Sequence, residues 1–124
     1  MSELNIRRVL LFAFILLVLR SAGSALTFDS SENSSMVLAG YALDSVIVLA
    51  VFSALARIQL QLIYLHVFLV AALHEVVGLV IVHTLVGPSP EWPYWWVDWT
   101  VFVLSVLFGV QIGLGLRKRS VSKA

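Results

Sequence analysis

The sequence predicts an all-α integral membrane protein, a four-helix bundle with both termini on the cytoplasmic side. Three observations predict it. First, 60% of the 124 residues are hydrophobic and only 12% are charged, against about 45 to 50% and about 25% in an ordinary soluble domain. A chain this short cannot hide so many apolar side chains in a core of its own. Second, four stretches approach or exceed the roughly 20 apolar residues that a helix needs to cross a hydrocarbon layer about 30 Å thick. Third, the linkers between them separate cleanly by charge.

The first span covers residues from about 6 to 22, where Arg7 and Arg8 precede a Leu/Phe/Val run. A basic start, an apolar run and the small residues Ala22 to Ala25 also fit a cleavable secretory signal, which would leave three spans. Arg20 interrupts the cleavage region, and a retained span is the expectation. The second span runs from about 36 to 56, the third from about 60 to 86 and the fourth from about 96 to 116. All are Leu, Val, Ile and Ala runs without period-two alternation, so helices are expected rather than barrel strands.

Arg7, Arg8, Arg57, Arg117, Lys118, Arg119 and Lys123 are seven of the eight basic residues, and they mark the two termini and the turn between spans two and three. The other two linkers carry Asp29, Glu32 and Glu91 and no Lys or Arg. Basic loops stay in the cytoplasm, which predicts a multi-pass protein of the plasma (inner) membrane with N-in and C-in topology. Arg20, at the outer end of span one, is the exception and is expected to extend its stem to the interface.

The approach to span four carries all three prolines and all four tryptophans. Trp92, Tyr94, Trp95, Trp96 and Trp99 are expected to form an aromatic belt at the outer interface, where rings that are apolar on one side and hydrogen-bonded on the other reside. A ligand- or quinone-facing aromatic site is the alternative. Within span four, Ser105, Gly109 and Gly113 recur every four residues, and Gly109-Val110-Gln111-Ile112-Gly113 is a GxxxG. Small residues at this spacing admit a second backbone closely. The partner is open: another span of this chain, a second copy, or a different subunit.

Asp44, His74 and Glu75 fall deep inside predicted spans. At about 1.5 Å per residue, Asp44 lies about 12 Å below the outer boundary of span two, and His74 and Glu75 about 17 Å below that of span three. Charged side chains at the bilayer centre cost roughly 2.5 to 3.5 kcal/mol on insertion scales, so they turn inward, pair, or work. The short turn makes spans two and three antiparallel neighbours, which predicts one polar cluster of Asp44, Tyr41, His74 and Glu75. Tyr64, Phe68, Ala71, Glu75, Gly78 and Val82 share a face of span three, and Ala71 and Gly78 are expected to let a neighbouring helix approach. His66 and His83 are placed near the inner and outer boundaries.

Three roles suit such a cluster: a pin that fixes which helix faces meet, passage of a proton or cation, or a metal or haem site. His74-Glu75 is not an HExxH, since Gly78 stands where the second histidine would be. Absence of cysteine removes disulfides and thiolate ligands. No nucleophile arrangement, phosphate loop or nucleic-acid signature is present, so a lone enzyme is not expected and no cofactor is implied.

From Leu43 to Thr84 the order of features resembles the phosphate-starvation-inducible PsiE-like family of small four-span membrane proteins. The carrying residues are Leu43-Asp44 opening an aliphatic run, the single basic residue Arg57 at a short turn, Phe68-Leu69-Val70, and Leu79-Val80-Ile81-Val82-His83, with Arg117-Lys118-Arg119 as a basic end. The resemblance implies a four-span membrane protein linked to stress or phosphate limitation, without a defined reaction or catalytic residue. Together these readings point to an accessory or structural subunit that packs in the lipid bilayer with itself as a homo-oligomer or with a larger complex. The alternatives are a proton- or cation-conducting oligomer and a haem- or quinone-associated anchor subunit.

Overall fold

The computed structural model describes residues 4–27, 34–85, 87 and 95–123. They form four helices: α1 (Ile6–Thr27), α2 (Ser34–Ile58), α3 (Ile63–Leu85) and α4 (Trp95–Ser122). Each is long and apolar enough to cross a membrane.

Three helices exceed their predicted spans, α2 by two residues at each end and α1 and α4 by more, for local reasons. α1 continues past residue 22 through Ala22 to Thr27, since nothing in that small-residue stretch breaks a helix. α4 continues past residue 116 through Arg117, Lys118 and Arg119, because Lys and Arg are good helix formers whose long side chains can leave an apolar layer. Asn5 caps α1: its Oδ1 accepts the backbone N–H of Arg8 at 3.0 Å, the bond expected of an N-cap side chain.

Every helix is apolar around its whole circumference, as in a chain solvated by lipid. The core draws on all four, with Leu16 of α1, Phe52 and Leu55 of α2, Val70 of α3 and Val110 of α4 almost fully enclosed. Side chains as large as Phe14, Phe68 and Phe108 face outward. In water such a surface would be an association hazard.

α2 is the centre of the bundle. It packs most extensively on α4, then on α1, and only lightly on α3, while α1 packs on α3. This corrects the expectation that α2 and α3 are packed neighbours along their length. Gln59 to Leu62 keeps only their ends together, and α1 lies between their bodies. Leu62 takes a left-handed φ of 49°, a conformation that costs a non-glycine residue of order 1 kcal/mol or more. Its carbonyl is held by the His66 backbone N–H at 3.0 Å and by His66 Nδ1 at 2.8 Å.

The α2–α4 contact uses the small residues of α4. A Cβ on Gly109 would stand 2.9 Å from the Leu49 carbonyl oxygen. One on Gly113 would collide with the Ser53 carbonyl and come within 2.8 Å of Ala56 Cβ. Ser105 is buried on the same face. The occupant of the GxxxG face in this structure is therefore α2 of the same chain. Phe52 and Phe102 meet edge to face above it, with centroids 6.5 Å apart.

Candidate functional site

Arg20 lies on α1 beside Leu16 and Gly23, which turn the same way. A Cβ on Gly23 would stand 3.1 Å from Ile47 Cδ1 of α2, so the missing side chain lets α1 sit close to α2 at that level. Asp44 is in the same stretch of α2. Arg20 meets it with two nitrogens, Nε to Oδ1 at 2.7 Å and Nη2 to Oδ2 at 3.0 Å. This fork-on-fork geometry is the strongest ordinary protein ion pair. Nη1 of the same guanidinium reaches Glu75 Oε1 of α3 at 3.4 Å. One cation on α1 thus joins acids on the two helices that flank it.

His74 completes the group. Its ring is buried, and Nδ1 lies 3.3 Å from Glu75 Oε1 without the alignment of a hydrogen bond, so that nitrogen is buried and unsatisfied. Phe102 of α4 supplies an apolar plate for both Arg20 and His74. The His74 ring is nearly parallel to it at 6.1 Å, and Arg20 Cζ stands 4.9 Å from its centroid, within cation–π range. Asp44 and Glu75 keep 29% and 28% of their side-chain surface uncovered, so the network is lined by the chain but not sealed by it. One guanidinium thus stands against two carboxyl groups and one imidazole.

Arg20 corrects the sequence reading. Its side chain does not extend toward the helix end, since α1 runs on to Thr27, about 10 Å beyond Arg20, and the guanidinium turns to Asp44 and Glu75 instead. Asp44 and Glu75 lie at a similar depth in α2 and α3. Charge matching could have found it: Arg20 is the one basic residue within an apolar run, and two acids within other runs needed a partner.

Tyr41, expected in this cluster, donates its hydroxyl to Asp98 Oδ1 of α4. Ala71 is half-buried against the core. Gly78 has open space where a Cβ would be, so among the described residues no neighbouring helix packs against it. The expected inward face of α3 is also turned: Tyr64 and Phe68 are exposed, while His66, Val67, Val70 and His74 face in. A helix apolar on all sides carries no amphipathic signal to set its rotation. Trp95, Trp96 and Trp99 are exposed at the start of α4; Trp92 and Tyr94 lie outside the described residues. His83 is exposed.

A second polar group, at the end of the bundle that carries Arg57, escaped the sequence reading. His66 is fully buried. Its Nε2 accepts the Asn5 backbone N–H at 3.0 Å while Nδ1 donates to the Leu62 carbonyl, so both ring nitrogens are occupied. The C-terminal carbonyls of α2 are capped by arginines. Arg8 Nη1 donates to Gln59 Oε1 at 2.7 Å and to the Ile58 carbonyl at 3.4 Å. Arg117 Nη1 donates to the Gln59 carbonyl at 2.8 Å. Cations at a helix C-terminus satisfy orphan carbonyls and meet the negative end of the helix dipole. Two arginines that a sequence offers only as orientation signals therefore tie α1 and α4 to the end of α2.

Comparison with protein families, with curated proteins and with solved structures gives no match for this chain.

Proposed function

We propose that this chain is an accessory or structural subunit of the plasma (inner) membrane, with both termini cytoplasmic, that associates with itself or with a larger membrane complex. The observation that carries this reading is the double grip of Arg20 on Asp44 and Glu75. It joins the ionised groups of three helices inside one chain and leaves the outer surface to apolar contacts. A half-buried ion-pair network that joins three helices favours one way for their faces to meet. Association uses faces other than the GxxxG, which α2 occupies. α3, packed chiefly against α1, turns Tyr64, Phe68, Val76 and Leu79 outward and is the broadest candidate. The stress-related role implied by the PsiE-like resemblance is compatible with such a subunit. Extraction in mild detergent followed by a native gel tests the proposal. Migration as a complex larger than the chain, lost in Phe68→Glu, is expected; migration of the unaltered protein as a monomer overturns it.

A second reading is proton or cation passage through the same network. Its support is the His74–Glu75 pair, in which a buried nitrogen lies within reach of a carboxylate without a hydrogen bond. Liposomes loaded with a pH-sensitive dye separate the two. A flux abolished by Glu75→Gln supports passage, and a flux no greater than that of empty vesicles removes it.

A further inference from the structure

Two hollows lie along the seam between α1 and α3, and another adjoins them at the start of α1. Counted from the start of α1, the first, about 340 Å³, is lined by Leu4, Asn5, Ile6 and Arg7. The second, about 250 Å³, shares Leu4 and Ile6 with the first and is walled on the α3 side by Leu69 and Leu73. The third, about 350 Å³, shares Leu10 and Leu73 with the second and ends at Leu17, His74 and Val77. Sharing of these residues makes them one groove, polar at the Arg7 end and apolar beyond it.

We propose that this groove holds one anionic phospholipid, with an acyl chain along α1 and α3 and the headgroup phosphate at Arg7. The inference rests on the reading that the helices cross a bilayer. Length supports it. From Arg7 to Leu17 the groove rises about 15 Å, which is half of a hydrocarbon core about 30 Å thick and so the depth of one leaflet. Charge supports it as well. Arg7 is exposed and makes no side-chain hydrogen bond or ion pair among the described residues, whereas its neighbour Arg8 is committed to Gln59. Arg57, Lys118, Arg119 and Lys123 are exposed at the same end, and the described acids Asp44, Glu75 and Asp98 all lie elsewhere. A guanidinium beside a phosphate forms a charge-assisted pair, and basic residues at a membrane surface attract anionic lipids. The far end of the acyl chain then lies against His74 and covers that edge of the ion-pair network.

The protein is reconstituted into vesicles of equal parts phosphatidylcholine and phosphatidylglycerol, re-extracted in mild detergent, and its retained lipid identified by native mass spectrometry. The unaltered chain is expected to retain phosphatidylglycerol in preference to phosphatidylcholine. Arg7→Gln should lower that preference about fivefold while still retaining lipid. Val77→Trp should fill the groove and lose both lipids; if its helical circular dichroism falls, Leu73→Trp replaces it. Equal retention of the two lipids by the unaltered chain, or unchanged retention in a folded groove-filling variant, overturns the proposal. A chain that floats with the vesicles but retains no lipid overturns this inference alone. One that does not float overturns the membrane reading with it.

Discussion

Arg20 Nη2 and Nε hold the two oxygens of Asp44 at 3.0 and 2.7 Å while Nη1 of the same side chain reaches Glu75 at 3.4 Å. Removal of the shared cation leaves two half-buried carboxyl groups without their common partner. Arg20→Gln should therefore cost about 1 to 3 kcal/mol, less than the penalty for a fully enclosed pair because Asp44 and Glu75 are only half-buried, read as a lower midpoint of thermal unfolding in detergent. Arg20→Lys should fall between, since an ammonium keeps the charge but loses the fork. Adding Asp44→Asn to Arg20→Gln should recover part of the loss. Unfolding of Arg20→Gln at the midpoint of the unaltered protein would show that the pair contributes nothing.

Glycines on the two sides of the bundle should respond in opposite directions. Gly113→Ala drives a methyl group into the Ser53 carbonyl and should destabilise by about 1 to 3 kcal/mol, as overpacking does. Gly109→Ala, with contacts of 2.9 to 3.2 Å, should cost less. Gly78→Ala meets nothing within 4 Å, so its higher helix propensity should leave stability unchanged or raise it by up to about 1 kcal/mol. Thermal unfolding of the three variants side by side checks the order; equal midpoints would contradict the α2–α4 contact described above.

His66→Phe retains the ring volume and removes both hydrogen bonds. The Asn5 N–H and the second bond to the Leu62 carbonyl are lost, at a cost of about 1 to 3 kcal/mol. Asn5→Ala, which deletes the cap but leaves the ring, should cost about 1 kcal/mol. Hydrogen exchange resolves the two: the Asn5 amide should exchange faster in His66→Phe, and the Arg8 amide faster in Asn5→Ala. Protected amides in both variants would refute the assignment.

Phe102 touches Phe52, His74 and Arg20 from one position. Phe102→Ala should lose about 3 to 5 kcal/mol through the cavity it leaves. It should also couple to Arg20→Gln in a double-mutant cycle, because contacting residues are not additive. Additive losses would separate the aromatic plate from the ion-pair network.

Four apolar runs, an even spread of hydrophobic side chains and a bias of basic residues determined by themselves that this chain folds as membrane-length helices, since the length and composition a bilayer demands are local properties. They also placed Asp44, His74 and Glu75 deep in those helices, because depth is counted along one chain segment at a time. Rotation and neighbour choice were decided only by the tertiary structure. Helices apolar on every side show no preferred face, so Glu75 and Gly78 were assigned a common packing edge that the fold leaves open at Gly78. A short turn between α2 and α3 constrains two ends and says nothing of their bodies, between which α1 inserts. Arg20 was visible as a residue and misplaced as a contact for that reason: its partners sit on helices that become its neighbours only when α1 packs between them, bringing one cation within reach of two acids.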